Sequence, residues 1–107
     1  MKKFLASLLT SLCLTTAWAW PDKPVTIIVP FPPGGSTDLI ARTLAPKLQE
    51  KFGGTFITDN KAGATGTIGA AIVAKAPPDG HTLFVSSLGP FVIAPHLLQK
   101  VAYDALK

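Results

Sequence analysis

Apolar and polar positions fall in blocks along this chain, and each block has its own period. Residues 25–29, Val-Thr-Ile-Ile-Val, are a mostly β-branched run bounded by prolines, the pattern of a buried strand in a parallel sheet. From Ser36 the spacing changes. Leu39, Ile40, Leu44, Leu48 and Phe52 recur three and four apart among Arg42, Lys47, Gln49, Glu50 and Lys51, which predicts a helix with those five as its apolar face. Lys51 suits the last turn and Gly53-Gly54 supplies the stop. Pro46 removes one backbone hydrogen bond, so a bend is expected there. Residues 55–58 read as a second strand and 59–66 as a loop. Residues 67–76 read as a second helix with Ile68, Ile72 and Val73 on one face and small residues that allow close approach to a sheet. Pro77-Pro78-Asp79-Gly80 is a turn. Residues 82–86 read as a third strand, 87–90 as a loop, and 91–99 as a third helix broken by Pro95. No internal repeat is present. The order β-α-β-α-β-(α) predicts an α/β fold, a parallel-sheet unit with right-handed crossovers.

The segment before the first strand has a different pattern. Met1-Lys2-Lys3 is a short basic start, residues 4–16 are uncharged and largely apolar, and Ala17-Trp18-Ala19 offers the small residues of a processing site. These features predict a secretory signal peptide over residues 1–19, cleaved after Ala19. The apolar stretch is at the short limit for spanning a membrane. Leu12 before Cys13 argues against a lipoprotein.

Processing changes the composition. The chain has 107 residues, 48% hydrophobic, with a formal net charge of +4 and one cysteine. Cys13 leaves with the leader, so no disulfide or thiolate chemistry is expected of residues 20–107. An exported chain without cysteine suits a periplasm. Lys2 and Lys3 leave too, and the remaining basic residues are scattered without interleaved aromatics. No nucleic-acid partner is expected.

Ligands of parallel sheets bind outside the carboxyl ends of the strands. Three loops leave such ends here, and two are glycine-rich and run into helix N-termini: "PFPPGGSTD" from Pro30 and "AGATG" from Ala62. A helix N-terminus offers unpaired N–H groups and partial positive charge, and glycine lets the backbone approach an anion. The N–H groups of Gly34, Gly35, Ser36 and Thr37, with two hydroxyls, are therefore candidates for holding a carboxylate. The other possibility is that the glycines only make a turn and Ser36 or Thr37 only caps the helix. Asp38 leaves two placements open. Facing the ligand, it repels an anion or selects an amine; facing away, it is ordinary helix-start chemistry, and the second is the preferred expectation.

Other chemistries lack their residues. No lysine follows Gly35, so there is no P-loop; Gly63, Gly66 and Gly69 have the wrong spacing for a dinucleotide fingerprint. His81 and His96 stand far apart with no cysteine or acidic cluster, so no metal site is expected, and His81 beside a turn is expected at the surface. Ser86 and Ser87 lack a nucleophile-elbow context. Neither an enzyme nor a cofactor is expected.

The segments "WPDKPVTIIVPFPPGGSTDLIAR", "DNKAGATGTIGAAIVAKAPPDGHTL" and "VAYDALK" resemble, in order and spacing, the periplasmic substrate-binding proteins of tripartite tricarboxylate transporters, the Bug-type or TctC-like receptors. The resemblance implies a two-domain clamshell of the periplasmic-binding-protein type that captures small organic acids and delivers them to membrane permease subunits. It implies that Phe31, Pro32, Pro33, Gly34, Gly35, Ser36 and Thr37, together with Ala64, Thr65, Gly66 and Thr67, hold a ligand carboxylate, with the loop Ser86-Ser87-Leu88-Gly89 as a third wall. The family commonly has arginine where Lys61 stands and tyrosine where His81 stands; lysine lacks arginine's bidentate fork. Family members are about three times as long, so residues 20–107 are expected to form the N-terminal part of a first α/β domain, ending near the crossover to a second. Two other readings remain: a small exported interaction module that pairs through its open sheet edge, and a secreted hydrolase using Ser86 or Ser87.

Overall fold

The computed structural model describes residues 19–106; the leader expectation falls outside them apart from its last residue. The first strand, β1, is Val25–Val29, followed by α1 over Ser36–Phe52 and β2 over Phe56–Asn60. A single 3₁₀ turn at Ala64–Gly66 leads into α2, Thr67–Lys75, and then β3, Thr82–Phe84. A wide helical turn at Gly89–Ile93 continues into the short α3, Ala94–Leu97.

The three strands form one parallel sheet in the order β2-β1-β3. Central β1 pairs from Val25 opposite Phe56 to Val29 opposite Asn60, and on its other side from Thr26 opposite Thr82 to Ile28 opposite Phe84. Being central, β1 is buried at every position but the half-buried Thr26, which is why its sequence is a β-branched run rather than a strict alternation. Val25, Ile27 and Val29 meet Ala41, Ala45 and Phe56 in the core, with Leu48 and Leu83 packed at its margin.

Several boundaries differ from those the sequence predicts. Strand β2 extends through Asp59 and Asn60, expected in a loop, because β1 still offers Ile28 and Val29 as pairing partners there. Strand β3 ends two residues early, although Val85 N–H still donates to the Ile28 carbonyl at 3.1 Å. The last helical segment starts at Gly89 rather than residue 91. Pro90 fits its first turn, where an N–H is not needed. The chain also stays helical through Pro95, which lies in the first turn of α3. Pro46 does not interrupt α1.

The larger correction concerns helix faces. On α1 the buried residues are Thr37, Asp38, Ala41 and Ala45, whereas Leu39 and Ile40 are 67% and 60% exposed. On α2 the buried residues are Gly69 and Ala70, while Ile68 and Ile72 are exposed. Both helices turn their small side chains to the sheet, and closeness is the reason. A Cβ on Gly69 would stand 2.8 Å from Pro30 Cβ and 3.1 Å from Pro30 Cα.

The bottom of the sheet is closed by the segment that enters β1. Trp20 packs edge-on against Phe52 and Phe56 at 5.4 and 5.9 Å between ring centroids, and its indole N–H donates to Gly80 O at 3.2 Å. His81 is not a surface residue: its side chain is 11% exposed, with Nε2 2.8 Å from Asp22 Oδ1 and Nδ1 3.3 Å from Asp79 Oδ1. The neighbouring ring and two carboxylates, rather than the turn, leave it half-buried.

Candidate functional site

The site builds from the end of β1. Pro30 is fully buried, Phe31 is half-buried, and Pro32, Pro33 and Gly34 lie exposed on the loop. Gly34 takes φ +93°, a conformation that favours glycine, and opens space in front of the helix. Gly35 is the N-cap of α1 and Leu39 N–H donates to its carbonyl at 3.0 Å, but no side chain caps the helix. Neither Ser36 nor Thr37 fills the capping role. The first-turn amides have no intrahelical acceptor, the usual state of a helix N-terminus without a side-chain cap.

Asp38 lies beneath this loop. It is 3% exposed. Its Oδ2 accepts from Gly34 N–H at 2.9 Å and from Arg42 Nε at 2.9 Å; its Oδ1 accepts from Asn60 Nδ2 at 2.9 Å and Arg42 Nε at 3.1 Å. Asn60 Nδ2 also donates to Phe31 O at 3.1 Å, and its Oδ1 accepts from Arg42 Nη2 at 3.1 Å. The Gly34 amide, followed by Asn60 and Arg42, lowers the Asp38 pKa from 3.8 to about 2. The carboxylate is thus ionised and occupied by the loop that it braces.

Among the described residues, the second loop has the most unusual backbone. Gly63, Ala64, Thr65 and Gly66 all have positive φ, at 131°, 48°, 59° and 87°. Two of these are not glycine, and such conformations persist where the surrounding structure holds them. Gly66 N–H donates to Gly63 O at 3.0 Å and Thr67 Oγ1 to Ala64 O at 2.8 Å, which closes the turn at the start of α2.

The third loop completes the group. Phe31, Gly35, Ser36, Thr37 and Ser87 line one shallow cavity of about 310 Å³. Ser86 Oγ donates to Ser87 O at 3.3 Å. Gly89 comes so close to the other two loops that a Cβ would lie 3.1 Å from Thr65 O and 3.8 Å from Phe31 Cζ. A Cβ on Gly66 would touch Pro90 and Pro30 at 3.2 and 3.3 Å. All three loops therefore meet at the carboxyl end of the sheet. Of the predicted residues, Phe31, Gly35, Ser36, Thr37 and Ser87 share the cavity; Thr65 and Gly66 flank it through Gly89 and Pro90. Pro32, Pro33, Gly34, Asp38, Ala64, Thr67 and Ser86 do not line it.

Sequence reasoning placed Gly89 in the third wall but missed Arg42 and Asn60. The four-residue step from Asp38 to Arg42 on a helix is a usable signal. Nothing local marks Asn60, whose partners lie 18, 22 and 29 residues away. Among the described residues, no group of three or more His, Cys, Asp or Glu could hold a metal ion, and no helix is long and apolar enough to cross a membrane.

In sequence and fold the chain is similar to known proteins. Residues 40–107 match the family model of the tripartite tricarboxylate transporter family receptor. A UPF0065 protein in the tcbD-tcbE intergenic region of Pseudomonas sp. (strain P51) is 45% identical over 87 residues, which are 81% of this chain and 26% of that protein. MatC from Rhodopseudomonas palustris, solved with bound malate, is 42% identical with a TM-score of 0.77, over 82% of this chain and 30% of its own. R. palustris Rpa4515, solved with adipate, is 39% identical with a TM-score of 0.79, over 82% and 29%. The periplasmic binding protein BugD is 46% identical with a TM-score of 0.58, over 61% and 22%. The chain spans less than a third of the curated relatives it matches. The family is one of solute receptors rather than enzymes, its solved members are periplasmic binding proteins, and this chain belongs to the tripartite tricarboxylate transporter family receptors.

Proposed function

We propose that this chain carries one wall of a periplasmic receptor site for small organic acids, and that the cavity between the first and third loops receives a ligand carboxylate. The observation that carries this reading is the uncapped N-terminus of α1, which opens on a cavity lined by Gly35, Ser36, Thr37 and Ser87. Backbone N–H groups and three hydroxyls there suit a carboxylate, and no acidic side chain lines the cavity. The relatives solved with malate and adipate support the ligand class. The reading extends to export through a leader cleaved after Ala19, to a longer two-domain receptor of which residues 20–107 are the start, and to delivery of the acid to membrane permease subunits.

The test is a titration of the ¹⁵N-labelled chain with malate and adipate, followed by amide NMR. Shifts concentrated at Gly35, Ser36, Thr37 and Ser87 are expected. Gly35→Val should remove them. Gly35 has φ −76° and only Pro32 O, at 3.7 Å, within reach of a Cβ, so the substitution fills the cavity without straining the backbone. A response undiminished in Gly35→Val would place the ligand elsewhere.

A further inference from the structure

A buried carboxylate directly behind an anion site is an electrostatic liability, and the residues around Asp38 are arranged to remove it. Asp38 lies one residue after Thr37, which lines the cavity, and it is almost fully buried. Left alone, its charge would oppose any anion at the helix N-terminus and cancel the helix dipole there. Arg42 answers that charge from one turn further along α1, with its Nε on both carboxylate oxygens at 2.9 and 3.1 Å. Asn60 holds the geometry from the end of β2, by bonding Phe31 O at one end of the loop, Asp38 at the other, and Arg42 itself. The nearby charges Asp59 and Lys61 pair with each other at 3.3 Å, so they leave the local balance neutral.

We propose that Arg42 and Asn60 are positioning residues of the ligand site. Asn60 and Asp38 fix the first loop with its Gly35–Thr37 amides free, and Arg42 neutralises Asp38 so that an anion is tolerated above it. This inference rests on the site reading given above. It assigns selectivity for the charged acid over its uncharged amide to a pair of residues that do not touch the ligand.

The experiment uses the full chain, ¹⁵N-labelled, with malate and its neutral diamide, malamide, as probes. In the wild type, malate is expected to move the Gly35, Ser36 and Thr37 amides. Arg42→Gln should weaken the malate response about tenfold, the scale of one uncompensated charge beside a helix N-terminus, and leave malamide unaffected. Arg42→Lys, which keeps the charge, should restore the malate response. Asn60→Ala should speed hydrogen exchange at the Gly34 amide relative to the amides of β1, because Asp38 loses one of the partners that fix it.

Equal malate affinity in wild type and Arg42→Gln would overturn the proposal while leaving the site reading intact. So would a parallel loss of malate and malamide, which marks a merely structural role. If Arg42→Gln does not fold, Arg42→Lys decides alone: retained malate affinity supports charge compensation, and joint loss of both probes overturns it. A wild-type chain whose Gly35–Thr37 amides ignore malate would overturn the site reading itself, and this inference with it.

Discussion

Single atoms decide how loop and helix approach each other in this chain. Gly69 lies against Pro30 so closely that a Cβ would enter the space of its backbone Cα at 3.1 Å and its Cβ at 2.8 Å. The chain cannot yield there without moving the first loop. Gly69→Val is expected to destabilise the chain by about 1–3 kcal/mol, the usual range for overpacking, measured by urea unfolding. An unchanged midpoint would show that α2 can slide away from β1 freely. Gly34 presents the opposite case: nothing lies within 4 Å of its Cβ position, and only its φ of +93° resists substitution. Gly34→Ala should cost about 1–2 kcal/mol through backbone strain alone. Gly35→Val, with ordinary φ, should cost about 1 kcal/mol through the poorer N-cap residue while blocking the cavity.

At the scale of the element, α1 shows how a hydrophobic period can be real and still point the wrong way. Two stripes of this helix have the right spacing. One holds Leu39, Ile40 and Leu44, and the other Asp38, Ala41, Ala45 and Leu48. The sheet takes the second, because alanine lets the helix axis come close and because Asp38 must reach Gly34 and Asn60. Ala41 is fully buried and Leu39 mostly exposed. Leu39→Gln is therefore expected to change unfolding free energy by no more than about 0.5 kcal/mol in this chain. Ala41→Leu should cost about 1–3 kcal/mol by overpacking. The reverse order of effects would restore the face that the periodicity suggests. The same preference recurs in α2, where Gly69 and Ala70 face the sheet and Ile68 and Ile72 do not.

For the whole molecule, two carboxylates tie distant segments together at opposite ends of the sheet. Asp38 braces the loop at the carboxyl end of β1. Asp79, on the other end, accepts from His81 N–H at 3.0 Å and pairs with Lys23 at 3.2 Å. The His81 amide first, then Lys23, lowers the Asp79 pKa to about 2, as the Gly34 amide, Asn60 and Arg42 do for Asp38. Both folded-state values lie below the ordinary carboxylate value of 3.8. The unfolded chain therefore binds more protons in this range, and the stability these groups contribute is present above about pH 4 and lost as pH falls towards 2. Thermal melts should show a falling midpoint across that window. A chain carrying Asp38→Asn and Asp79→Asn should start lower at neutral pH and lose less on acidification. An equally steep fall in that variant would mean that other carboxylates govern acid unfolding.

The sequence alone determined the α/β order, the parallel sheet and the three loops at its carboxyl end. Those depend on local signals: a β-branched run between prolines, glycine pairs that end or open helices, and a period that changes at Ser36. It also carried the family, because "PFPPGGSTD" and "AGATG" keep fixed spacing. Only the tertiary structure decided which helix face turns inward, since two stripes satisfy one period and the approach distance to the sheet selects between them. It alone placed Asn60 in a strand and in the Asp38 network, because strand length follows the partner strand and the network's contacts are far apart in sequence. It half-buried His81, which local context puts at the surface, by bringing Trp20, Asp22 and Asp79 around it. The loops were legible one at a time; their meeting at Gly89 follows from the sheet order β2-β1-β3, which no local pattern encodes.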